Sequence, residues 1–151
     1  MMSCVLGIND VEVSVKPVEM ICVGLGSCIA VFVTDRIKKV SGGAHIPLPN
    51  GESTAELKSA GEIIDELLHK LQRKGGDVNR LRAKIAGGAN VLDHTIDIGE
   101  QNASSIMELL RARKIYIAGS DLGGTVCRSV HFNSVTQELT VSTSEQNKYV
   151  I

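Results

Sequence analysis

The sequence predicts an α+β fold. Three observations carry that expectation: several short β-branched or alternating segments, two long stretches with apolar residues at helical spacing, and an element order that does not alternate strictly between them. With 151 residues the chain is sized for a single domain, residues 1–151, with a full core. It has no Trp and only two Tyr and two Phe, so that core must be aliphatic.

The elements follow in order. Val11-Glu12-Val13-Ser14-Val15 alternates apolar and polar residues, which suits a half-buried strand. Glu19 to Val23 is a second strand, leading into the glycine-rich bend Gly24-Leu25-Gly26-Ser27-Cys28. Cys28 to Val33 is β-branched and aromatic, Asp35-Arg36-Ile37-Lys38 suits a type I turn, and Val40 to Ile46 returns as the partner strand. Pro47, Pro49, Asn50 and Gly51 form a loop, and Ser53 with Glu56 makes a capping box for a helix. Leu57, Ala60, Ile64, Leu67, Leu68 and Leu71 give that helix its apolar face, and Gly75-Gly76 ends it. Lys84 to Ala86 is a short strand before Gly87-Gly88. Ile106, Leu109 and Leu110 mark a second helix from about Gln101 to Arg113, with Asn102 as a candidate cap. Three late strands follow, Ile115 to Ala118, Val126 to Phe132 and Leu139 to Thr143, the last two joined as a hairpin around Asn133-Ser134.

Composition narrows the function classes. Lys plus Arg is 16 and Asp plus Glu is 17, a net charge of −1, and there is no basic stripe with interleaved aromatics to meet nucleic acid. Met1 to Gly7 has neither a basic segment nor a long apolar run, so neither a signal peptide nor membrane insertion is expected. Four Cys in a chain of this length without secretory features point to reduced thiols in the cytoplasm, and no pair has the C-x-x-C spacing of a zinc site. Gly24-x-Gly26 lacks the third glycine of a dinucleotide fingerprint, no segment matches a P-loop, and no cofactor is implied.

The chemistry-bearing pair is Cys28 on its glycine-rich bend and His45. A thiol beside an imidazole, with backbone amides able to hold an oxyanion, is the minimal equipment of a cysteine nucleophile. A hairpin centred between Arg36 and Ile37 pairs Val33 with Val40 and sets Cys28 directly opposite His45, with Ala30 facing Gly43 and Phe32 facing Ser41. Directly opposed Cβ atoms lie about 4.5–5.5 Å apart, and small neighbours would leave room for a substrate side chain. A bulge at Gly42-Gly43 would break that register. His69, His94 and His131 are expected to be structural or solvated, and the other glycine pairs to supply tight turns.

The stretches Gly24-Leu25-Gly26-Ser27-Cys28-Ile29-Ala30-Val31, Gly42-Gly43-Ala44-His45 with Pro47, and Lys84-Ile85-Ala86-Gly87-Gly88-Ala89 together resemble the CheD family of chemoreceptor glutamine deamidases. The resemblance continues through Ile98-Gly99-Glu100-Gln101-Asn102 and Asp121-Leu122-Gly123-Gly124 with Arg128, so that ordered motifs span most of the chain. The resemblance implies a mixed β-sandwich flanked by helices, related to toxin deamidases. It implies hydrolysis of glutamine side-chain amides on methyl-accepting chemotaxis receptors, with glutamyl methyl esters as further substrates of some members, and CheC phosphatase as a partner. The family's nucleophile falls on Cys28 and its catalytic His on His45. Ser27 and Gly26 are candidates for oxyanion-binding backbone, and Asp121 and Arg128 for shaping the site mouth. The family's third site residue is a Thr six positions before the nucleophile, where this chain has Cys22. A thiol is a much weaker hydrogen-bonding group than a hydroxyl, so Cys22 reads as a buried strand residue. If the Thr orients the imidazole, its absence makes a slower enzyme or calls for another orienter. Two rivals stand beside deamidation: a non-catalytic regulator that binds receptor or CheC, and a cysteine hydrolase of small amides or esters.

Overall fold

A hairpin buried on both faces lies at the centre of the computed structural model, which describes residues 1–91 and 97–151. Its strands are β4 (Ile29–Asp35) and β5 (Val40–Ile46), and every residue of both is buried. They sit inside a sheet ordered β2-β5-β4-β6-β7, with β2 at Val11–Ser14, β6 at Arg82–Gly87 and β7 at Tyr116–Leu122. The second sheet is ordered β1-β3-β8-β9-β10. Its strands are β1 (Met2–Val5), β3 (Val18–Leu25), β8 (Arg128–Asn133), β9 (Leu139–Thr143) and β10 (Lys148–Val150). β1–β3 and β6–β7 are parallel and the other pairs antiparallel, so both sheets are mixed. Helices α1 (Ala60–Arg73) and α2 (Ile98–Ala112) pack on the hairpin sheet. This is the expected α+β arrangement.

The two faces of the hairpin enter different cores. Ile29, Val31 and Val33 join Ile63, Ile64, Leu67 and Ile106 under the helices. Ala30 and Phe32 join Met20, Cys22, Val130 and Phe132 between the sheets, and the Phe32 ring stacks on Phe132 with centroids 5.0 Å apart. A strand covered on both sides gives a continuous apolar run, which is why Ile29 to Val33 shows no alternation. β5 is thin for the same reason. A Cβ on Gly42 would come within 2.7 Å of Leu67, and one on Gly43 within 2.8 Å of Met20 and 2.9 Å of Leu6 and Phe32. The small residues of β5 therefore admit core side chains and leave no space for a substrate, contrary to the expectation from sequence.

The register also differs from the expected one. Asp35 pairs with Val40, Val33 with Gly42 and Ala30 with His45, a slip of two residues. The cause is the turn, which holds the four residues Arg36 to Lys39 and puts Lys39 in the left-handed region at φ 57°. Asp35 heads that turn as anticipated, its Oδ1 accepting from the amides of Ile37 and Lys38. A two-residue slip keeps every side chain on its expected face. No bulge interrupts β4–β5 at Gly42-Gly43. The irregularities lie instead between Cys22 and Leu25 on β3 and between Ala83 and Lys84 on β6.

Both helices start elsewhere than expected. The capping box of α1 is Ser59 with Glu62: Ser59 Oγ accepts from the Glu62 amide and donates to its carboxylate at 3.1 Å. Ser53 and Glu56 repeat the same signature in the preceding loop, but the continuous apolar face begins only at Ala60. Gly75 and Gly76 close α1 as expected, donating to Gln72 and Leu71. Asp97 caps α2 by accepting from the Glu100 amide, so Asn102 lies inside the helix rather than at its cap.

Asp35 fastens the far end of the hairpin. Its fully buried carboxylate accepts from the amides of Ile37, Lys38 and Asp77 and from Arg80 Nε at 2.9 Å. Burial pushes this carboxyl up, but the hydrogen bonds from Arg80, Asp77 and Lys38 and the Arg80 charge outweigh it and hold it well below the usual carboxylate range. A depressed folded-state pKa adds stability above the unfolded value near 4, and that stability is lost as pH falls through the folded value. Asp35→Ala is expected to cost about 3 kcal/mol by denaturant titration at neutral pH. The difference between wild type and variant should shrink below about pH 4. An unchanged difference down to acid pH would contradict this linkage.

Candidate active site

Cys28 is the last residue of the bend Gly26-Ser27-Cys28, between β3 and β4, and its side chain is half-buried. The bend is held by its carbonyls. Gly26 O accepts from Ala89 N at 2.8 Å, Ser27 O from Asn102 Nδ2 at 2.8 Å, and Cys28 O from Gly88 N at 2.9 Å. Gly87 must be glycine here: its φ is 119°, and a Cβ would lie 2.2 Å from Cys28 O. The amides of Gly26, Ser27 and Cys28 donate to no carbonyl or side-chain oxygen among the described residues.

His45 sits on β5 opposite Ala30, so it is the diagonal neighbour of Cys28 on the face turned to the inter-sheet core. Diagonal Cα atoms in such a ladder are about 7–8 Å apart. His45 is only 5% exposed, and its ring Nδ1 lies 3.0 Å from the Leu6 carbonyl. A carbonyl can only accept, so Nδ1 carries the proton and Nε2 is left as the basic nitrogen. The His45 backbone is fixed on the same side by Asp10 and Asn9. The thiol and the ring are not hydrogen-bonded in this resting arrangement.

Burial pushes the Cys28 thiol up, and its own amide pulls it partly back. Cys22, fully buried between the sheets, is pushed up to about 12, first by burial and then by its neighbour Cys28. It is a core residue, as expected, and it makes no bond to the imidazole. The main-chain carbonyl of Leu6 occupies the orienting position instead.

Arg128 and Asp121 do pair, Nε to Oδ2 at 2.9 Å, and Tyr149 donates to the same carboxylate oxygen. Arg128 is 6% exposed and also donates to Gly123 O and Gly87 O. The pair braces the glycine turns against which Cys28 rests and makes no hydrogen bond to the thiol. His69 and His131 are exposed, the latter beside Glu19, and His94 lies outside the described residues. A groove of about 380 Å³ runs along Gly88, Asn90, Gly123 and Gly124 on the α2 side of the bend, without Cys28 or His45 in its wall.

The sequence reading misses Leu6 altogether and takes Asn102 as a cap and as part of a family motif, not as a buried group behind the bend. Leu6 acts through its carbonyl, which no side-chain pattern signals. Asn102 was findable: it lies four residues before Ile106 on the buried stripe of α2, and a polar residue there needs partners.

Comparison with known proteins places the chain. Residues 46–143 match the family model described as CheD chemotactic sensory transduction. A probable chemoreceptor glutamine deamidase CheD of Desulfitobacterium hafniense (strain DSM 10664 / DCB-2) is 36% identical over 97% of this chain and 96% of its own length. The chemoreceptor glutamine deamidase CheD of Thermotoga maritima is 36% identical over 93% of this chain and 91% of its own. A probable chemoreceptor glutamine deamidase CheD of Clostridium novyi is 37% identical over 85% of both. The family model begins one residue after His45, but the relative covering 97% of the chain spans Cys28 and His45 as well. With most of its length shared with these relatives, the chain belongs to the CheD family.

Proposed function

We propose that this protein is a chemoreceptor glutamine deamidase, with Cys28 as nucleophile and His45 as general base and acid. The observation that carries the reading is the Leu6 carbonyl on His45 Nδ1, which leaves Nε2 basic on the hairpin face that Cys28 shares. Family membership supplies the reaction class, since the relatives are named for deamidating chemoreceptor glutamines.

In this reading His45 Nε2 takes the thiol proton and the sulfur attacks the side-chain amide carbon of a receptor glutamine. The carbon–sulfur bond forms as the carbonyl electron pair moves to oxygen, where the free amides of the bend donate to it. Collapse breaks the carbon–nitrogen bond, and the His45 proton leaves with ammonia. Water then gives a proton to His45 and attacks the thioester, and the released sulfur recovers that proton as glutamate forms. A glutamyl methyl ester would give the same acyl-enzyme and lose methanol. The raised Cys28 pKa makes the base necessary, because burial leaves little thiolate at neutral pH. The same reading puts the protein in the cytoplasm, with chemotaxis receptors as protein substrates and CheC phosphatase as a binding partner. It is supported by the family, and no helix among the described residues is long and apolar enough to cross a membrane.

Cys28→Ala should abolish conversion of glutamine to glutamate in a receptor fragment, read by mass spectrometry. His45→Ala should lower kcat by about 10²–10⁴-fold. Conversion that survives Cys28→Ala would end the proposal, and tight receptor binding without any conversion by wild type would favour a regulator. Cys22→Ala should keep kcat within about threefold, because Leu6 orients the ring. A loss as large as that of His45→Ala would restore Cys22 to the site. Site-resolved alkylation of resting Cys28 should still be rising with pH above 9, the ordinary thiol value, and a plateau below it would contradict the burial effect.

A further inference from the structure

We propose that Asn102 is the positioning residue of the oxyanion site: by holding the Ser27 carbonyl, it aims the Cys28 amide at the oxygen that gains charge during attack. The inference rests on the reading of Cys28 as nucleophile. Asn102 is wholly buried, and its Nδ2 donates to Ser27 O at 2.8 Å and to Pro47 O at 3.0 Å. Two carbonyl partners use both hydrogens of the amide and require nitrogen, not oxygen, at that position. The peptide between Ser27 and Cys28 is trans and planar, as no cis bond occurs among the described residues. In such a unit the N–H points opposite to the C=O. A carbonyl pulled into the protein by Asn102 therefore turns the Cys28 N–H outward.

Two further facts fit this role. Ala89 N holds Gly26 O in the same manner, which sets the Ser27 N–H. The second hydrogen of Asn102 grips Pro47, two residues beyond His45, so one side chain ties the nucleophile's bend to the strand that carries the base.

A residue that only held the fold together would affect every property of Cys28. An oxyanion-positioning residue would not, because alkylation by iodoacetamide occurs at a saturated carbon and develops no oxyanion. The test compares wild type, Asn102→Ala, Asn102→Ser, Cys28→Ala and the core variant Val141→Ala. Val141 is buried between the sheets. Receptor-fragment deamidation, Cys28 alkylation at one pH and thermal unfolding are measured for each. Both Asn102 variants should lose about 10- to 100-fold in kcat, with KM and the Cys28 alkylation rate within about threefold of wild type. Val141→Ala should lose stability with kcat kept. If Asn102→Ala does not fold, Asn102→Ser, which retains one donor, is read by the same criteria. Unchanged kcat in a folded Asn102 variant, or equal losses in deamidation and alkylation, would overturn the inference. Deamidation surviving in Cys28→Ala would instead overturn the nucleophile assignment beneath it.

Discussion

The double burial of the β4–β5 hairpin is the constraint on which the rest depends. Two cores press on it from opposite sides, which forces glycine at positions 42 and 43 and leaves no room along the strands for a substrate. The proposed mechanism lies at the end of the hairpin where β4 is entered through the Gly26-Ser27-Cys28 bend and β5 leaves at Pro47. The opposite end is closed by the Asp35 network. Rigidity along the hairpin thus places a cysteine and a histidine on one face without any hydrogen bond between them.

Much of the site is built from backbone groups. The carbonyl of Leu6 accepts from the imidazole, the carbonyls of the bend are tied down one by one, and the amides left over are the donors that the proposed mechanism uses. Side chains such as Asn102 and Arg128 hold the main chain around Cys28, through the carbonyls of Ser27 and Gly87.

That design also decides what could be read before the structure. Val40–Ile46 and Leu139–Thr143 have the expected bounds: the turn before Val40 and Pro47 after Ile46 frame the first, and Thr140, Val141 and Thr143 mark the second. The face shared by Cys28 and His45 was readable from the parity of the hairpin. Its register was not, because the turn needs a left-handed Lys39, a conformation that lysine seldom signals. The start of α1 was ambiguous because Ser53-x-x-Glu56 and Ser59-x-x-Glu62 offer the same cap, and packing, not propensity, selects the second. The edge strands β1 and β10 are short and largely exposed, so no hydrophobic pattern marks them. The Leu6 carbonyl had no sequence signal at all.

The central claim is that glutamine loses its nitrogen through an acyl-enzyme. Its most direct test is turnover of a glutamine-bearing receptor fragment in the presence of hydroxylamine. An acyl-enzyme must partition, so glutamyl hydroxamate should appear on the receptor at the expense of glutamate while ammonia release is not slowed. Glutamate as the sole product at every hydroxylamine concentration would contradict the account.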